Sequence, residues 1–148
     1  MAPPRVAVGG PDAERVTDIV GRAFQDDPVW SFAFPDDRRR QQQYAVFWRL
    51  VVDGAMRHDT VWLAAGDVAA AVWLPPGAAE LTDHDEARFE SLMSAIMGDY
   101  LERLLETVHR FEQARPLTPH YYLSLLATDP RHAGHGLGMA LLEANLRH

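Results

Sequence analysis

The chain predicts an α/β (mixed α+β) domain, a central mixed sheet flanked by helices, and three stretches carry that reading. In "TVWLAAGDVAAAVWLPPG" two apolar runs meet across Gly66 and Asp67 and stop at Pro75, Pro76 and Gly77, the pattern of a hairpin. "HYYLSLLAT" is apolar at nearly every position after the first, as a strand covered on both faces would be. Directly after it, "DPRHAGHGLG" sets Gly134, Gly136 and Gly138 in alternation, in a turn that opens a helix.

The elements follow in order. Residues 5–8 alternate and run into Gly9, Gly10 and Pro11, so they read as a short strand and a turn. A helix over 11–24 places Val16, Ile19, Val20 and Ala23 on one face; Pro28 disfavours helical geometry at Asp27 and ends it. A second helix covers 36–57, capped by Asp36 or Asp37, with Tyr44, Phe47, Val51 and Ala55 toward the core. The hairpin strands take 60–65 and 68–74. Over 83–114 a helical stripe of Phe89, Leu92, Met93, Ile96, Tyr100, Leu104, Val108 and Phe111 reads as core, with a break near Gly98. Pro116 and Pro119 end it, and the covered strand takes 120–128. The last helix carries Leu137, Ala140, Leu141 and Ala144 on its core stripe. Residues 1–148 form one domain, long enough to bury roughly 70% of the surface the unfolded chain exposes.

Composition removes several functions. There is no cysteine, so no disulfide framework, thiolate metal site or cysteine nucleophile, and a reducing, cytoplasmic location is expected. "MAPPRVAVGG" lacks the apolar core of a signal peptide, and no apolar run approaches a bilayer span, so no membrane role is expected. The formal net charge of −7, from 14 basic and 21 acidic residues, repels a phosphate backbone and argues against nucleic acid. Arg38, Arg39 and Arg40, beside Asp36 and Asp37, read as a solvated helix start. His84, His109 and His120 show no metal-ligand spacing, and no metal is expected.

The glycine turn is where chemistry is concentrated. Its glycines allow a crowded or left-handed backbone and close approach of a ligand. The first N–H groups of the following helix lack intrahelical partners, and the helix dipole adds partial positive charge there, so a phosphate suits the spot even in an acidic protein. The alternative is a purely architectural turn. A dinucleotide G-x-G-x-x-G fails in register, its third glycine falling on Met139 or Leu141, and no Gly-Lys-Ser/Thr follows to make a P-loop.

"LLATDPRHAGHGLGMALL" resembles the cofactor strand, turn, pyrophosphate loop and cofactor helix of the GNAT acyltransferases, and "AFQDDPVW" and "AVWLPPG" resemble a subgroup similar to puromycin N-acetyltransferase and other small-amine acetylators. The resemblance covers nearly the whole chain. Ala133 departs from the Gln or Arg that usually opens the family's loop motif. It implies that acetyl-CoA is the co-substrate, that Leu126, Ala127 and Thr128 offer main-chain groups to the pantetheine arm and thioester, and that Ala133, Gly134, His135, Gly136, Leu137, Gly138 and Met139 hold the pyrophosphate. Arg131 and His135 are candidates to add positive charge.

Acetyl transfer to an amine needs orientation, a polarised carbonyl and loss of a proton from the ammonium. No general base stands out. Candidates are Asp27, Tyr122 and Ser124 for catalysis and Asp26, Asp27 and Trp30 for the acceptor pocket. The resemblance implies an N-acetyltransferase acting on a small-molecule primary amine by direct attack in a ternary complex. A coenzyme A-binding module without catalysis and a structural or interaction domain remain open. In the family a parallel strand follows the cofactor helix. Residues 1–148 are therefore expected to be the front of a longer, C-terminally extended enzyme, whose cofactor strand alone would leave an open edge for self-association.

Overall fold

The apolar runs on either side of Gly66 form antiparallel strands β2 (Val61–Leu63) and β3 (Ala69–Leu74) in the computed structural model, which describes residues 2–148. β1 (Arg5–Val6) pairs with β2 and β4 (Tyr122–Thr128) with β3, giving the order β1-β2-β3-β4. A mixed sheet was expected, yet every pairing among the described residues is antiparallel. The connection between β3 and β4 returns to the end at which β3 stops, where Leu74 pairs with Tyr122, so β4 must run back along its neighbour.

Helices cover both faces. α1 (Gly9–Ala23), α3 (Arg40–Met56), α4 (Asp83–Met97) and α5 (Leu101–Ala114) build the main core, and α6 (Leu137–Asn145) packs on the other face. β3 shows why: with a period of two, Ala70, Val72 and Leu74 join Val16, Val20, Tyr44, Phe47 and Val51, while Ala69 and Ala71 meet Leu141. Ala140, expected on the α6 core stripe, is exposed, because the sheet beneath that helix contacts little more than Leu141 and Leu137.

One register irregularity bears on the site. Val72 pairs with Leu125 and Trp73 with Leu123, so Ser124 is an extra residue on β4. Such a bulge bends the strand and re-aims a side chain. Ser124 and Leu125 consequently line the same space, on the main-core side.

Three local readings need correction. α1 stops at Ala23 and Asp27 before Pro28 is extended, as expected, but the same pair opens a further helix, α2 (Pro28–Ala33): Pro28 is its first residue and Asp27 its cap, its Oδ1 accepting from the N–H groups of Val29 at 3.0 Å and Trp30 at 3.1 Å. Asp27→Ala should therefore lower stability by about 1 kcal/mol. An unchanged denaturant midpoint would show that the cap contributes nothing. Asp36 accepts from Arg38 N–H in a turn and α3 begins only at Arg40. Arg40 is buried, donating from Nε to Phe34 O at 2.8 Å and from Nη1 to Gln25 O at 3.0 Å, so it ties α2 to α3 rather than meeting solvent. The break at Gly98 is present, with φ +55° between α4 and α5. Met93 and Leu104 of the long stripe are fully buried, whereas Tyr100 and Phe111 are partly open to solvent.

Candidate functional site

β4 leads into the glycine turn through Asp129, a buried carboxylate held from two sides. Arg131 donates to it from its backbone N–H at 3.0 Å, Nε at 3.1 Å and Nη2 at 2.8 Å, and Arg22 of α1 reaches Oδ2 with Nε at 3.1 Å and Nη2 at 3.0 Å. The Asp129 N–H donates to Val68 O at 2.8 Å. The bonds from Arg131, helped by the charge of Arg22, hold the Asp129 carboxyl well below the usual carboxylate range despite its burial. A depressed folded-state pKa means that the contribution is present above the unfolded value and fades as pH falls below it. Asp129→Ala should cost about 1.5–3 kcal/mol at neutral pH, the worth of hydrogen bonds to a charged group. The difference from the parent should shrink below about pH 4, the ordinary carboxylate range. Urea titrations across that range check this, and a pH-independent difference would refute it.

Arg131 is thus engaged with Asp129, and His135 is exposed in the turn. What the turn offers is main chain. Gly134 and Gly136 have φ of +85° and +70°, and a Cβ on either would meet nothing within 4 Å. The first helical bond runs from Ala140 N–H to Gly136 O at 2.9 Å, and among the described residues no protein acceptor takes the N–H groups from Gly134 to Met139. Gly138 serves packing: a Cβ there would lie 3.1 Å from Thr128 Oγ1 and 4.0 Å from Leu126 Cγ, so α6 starts hard against the end of β4. Ala133 precedes this set in extended conformation, and Met139 is 60% exposed at its far end.

On the other face of β4 lies a cavity of about 610 Å³. Its wall is aromatic: Phe24, Trp30, Phe47, Trp48, Phe89 and Phe111, with Trp30 stacked parallel to Phe111 at 5.2 Å and edge-on to Trp48 at 4.7 Å. Its polar lining is Glu80, Glu86, Glu112, Arg115, Ser124 and Tyr122. Ser124 Oγ donates to Glu80 Oε1 at 3.0 Å, Arg115 Nη2 lies 2.7 Å from the same oxygen, and the guanidinium sits 3.9 Å from the centre of the Tyr122 ring. Leu126 lines this cavity as well as approaching Gly138, so one strand serves both places.

The expected site residues fall into three groups. Leu126, Ala127 and Thr128 end an edge strand that runs into residues 133–139, with Ala127 in the main core. Trp30, Tyr122 and Ser124 meet at the cavity. Asp26 is exposed and Asp27 is engaged in capping, and neither lines that cavity. Glu80 and Arg115 were absent from the sequence reading; both lie in connections, with no periodic pattern to mark them.

No helix among the described residues is long and apolar enough to cross a membrane. The fold is that of the GNAT acetyltransferases. No family model matches the chain. A solved structure described as histone acetyltransferase HPA2 and related acetyltransferase, from Corynebacterium glutamicum ATCC 13032, superposes with a TM-score of 0.68 and 20% identity, over 99% of this chain and 71% of that one. At that identity the likeness speaks for the fold.

Proposed function

We propose that the chain is an acetyl-CoA-dependent N-acetyltransferase that acts on the primary amine of a small molecule by direct attack in a ternary complex. The observation that carries this reading is the run of unpartnered N–H groups from Gly134 to Met139, at the end of a strand whose other face lines a small-molecule-sized cavity. The fit to a pyrophosphate is supported by the open space at Gly134 and Gly136, which any side chain would fill, and by the dipole of α6. The outward main-chain groups of β4 suit the pantetheine amides. A small-molecule amine, the kind of acceptor implied by the sequence resemblance, suits a cavity of about 610 Å³.

Acetyl-CoA brings an acetyl group already activated as a thioester. The amine nitrogen forms the new bond to the carbonyl carbon as the carbon–sulfur bond breaks; ammonium and thioester become amide, thiol and one released proton. The protein's share is to position the amine, exclude water and take up the proton.

The test is a free-thiol assay with acetyl-CoA across small amines, beside calorimetry of acetyl-CoA binding. Amine-dependent thiol release with the acetylated amine as product is expected. Binding without release for any amine would make the chain a coenzyme A-binding module, and no binding would make the turn architectural.

A further inference from the structure

We infer that the aromatic cavity is the acceptor site, that it takes a primary amine borne on an aromatic or similarly bulky apolar body, and that Glu80 is the catalytic carboxylate that receives the amine's N–H. This rests on the acetyl-transfer reading and narrows it.

Volume and lining set the body. A cavity of about 610 Å³ walled by six aromatic rings has room for a fused ring, and Glu80, Arg115 and Ser124 meet in its lining at β4. A short or strongly hydrated polyamine would leave those rings facing water or lose its own hydration there. Charge sets the head. Glu80, Glu86 and Glu112 line the cavity against one guanidinium, Arg115, which is already paired with Glu80, so a cation is favoured and an anion excluded.

Glu80 is prepared for that head. Both of its contacts, from Ser124 and Arg115, fall on Oε1, and among the described residues Oε2 has no partner. Its backbone is fixed. Arg57 donates from Nη2 to Ala79 O at 3.0 Å and Leu81 O at 3.2 Å and from Nε to Gly54 O at 2.8 Å, clamping the segment against α3. The bulge on β4 brings Ser124 to it. Trp48, in the same wall, buries its Nε1–H with no acceptor among the described residues, a donor that an acceptor atom on the occupant would satisfy.

The proton account closes. One ammonium proton passes to Glu80 Oε2 and on to water, the freed lone pair attacks the thioester carbon, and a second N–H proton leaves with the departing sulfur as the thiol.

Tryptamine, 2-phenylethylamine, ethylamine, putrescine and glutamate serve as probes in the thiol assay. Tryptamine and 2-phenylethylamine should exceed the others in kcat/KM by about tenfold or more, glutamate being the poorest. Glu80→Gln keeps the shape and the oxygen that Ser124 and Arg115 contact. It should leave acetyl-CoA affinity unchanged and lower kcat/KM for tryptamine about 100-fold or more. Trp30→Ala should lower the ratio of tryptamine to ethylamine activity, a ratio insensitive to the fraction of folded protein. Thiol release that favours putrescine or ethylamine, or an unimpaired Glu80→Gln variant, would overturn this inference and leave acetyl transfer standing. Release with no amine at all would overturn both.

Discussion

Gly136→Val is expected to reduce acetyl-CoA affinity by about 100-fold or more, with the fold retained. Two effects act in the same direction. Gly136 sits at φ +70°, where a β-branched residue is strained by about 1–3 kcal/mol, and relief of that strain moves the N–H groups on either side of it. The new side chain would also stand in the open space beside the turn, which in the proposed function belongs to the pyrophosphate. Together they amount to about 3 kcal/mol, which is about two decades in affinity. The position packs against nothing, so circular dichroism should stay close to that of the parent. Equal affinity by calorimetry for the two proteins would show that the turn is not the phosphate cradle.

Gly54→Ala is expected to be the most damaging single methyl in the chain. A Cβ on Gly54 would fall 1.7 Å from Glu80 O, 2.8 Å from its carbonyl carbon and 3.2 Å from Leu81 Cα. These are backbone atoms tied down by Arg57, so no side-chain rotation relieves the clash. Either α3 or the 79–81 segment must shift, at a cost of about 3 kcal/mol on the scale of overpacked cores. If the segment gives way, Glu80 leaves its contact with Ser124, and amine-dependent turnover should fall further than the loss of folded protein explains. The denaturant midpoint and the rate per folded molecule separate the two effects. A variant with the parent's midpoint would show that the segment moves aside freely.

What the sequence reveals here depends on how far apart the partners lie along the chain. Periodicity found the faces of α1 and α3, because Val16, Ile19 and Val20, or Tyr44, Phe47 and Val51, repeat within one helix. The hairpin and the glycine turn were legible through residues whose backbone needs are local. α2 is hidden because Asp-Pro reads as a stop, although the same pair, an Asp cap followed by Pro in the first helical position, is also a start. Arg40 looked solvated inside a run of three arginines, and only the approach of residues 25 and 34 buries it. The carboxylate at the cavity was out of reach for the same reason. Glu80, Arg115 and Ser124 lie in three separate segments and meet only after α4 and α5 have carried the chain back to β4. The bulge that presents Ser124 is a property of pairing with β3 and leaves no mark in β4 itself.

The four tryptophans of this chain divide evenly across the sheet. Trp30 and Trp48 line the aromatic cavity, while Trp62 and Trp73 lie on the α6 side, Trp73 donating from Nε1 to Asn145 Oδ1 at 2.9 Å and Trp62 stacking with His148. The molecule therefore carries two separate built-in fluorophore pairs, one on each face. An occupant sliding between Trp30 and its neighbours would alter emission from the first pair, and a ligand that shifts α6 would alter the second. Single-tryptophan versions would assign each change in light to a face, and the order of the two changes in a rapid-mixing experiment would give the order in which the two faces fill.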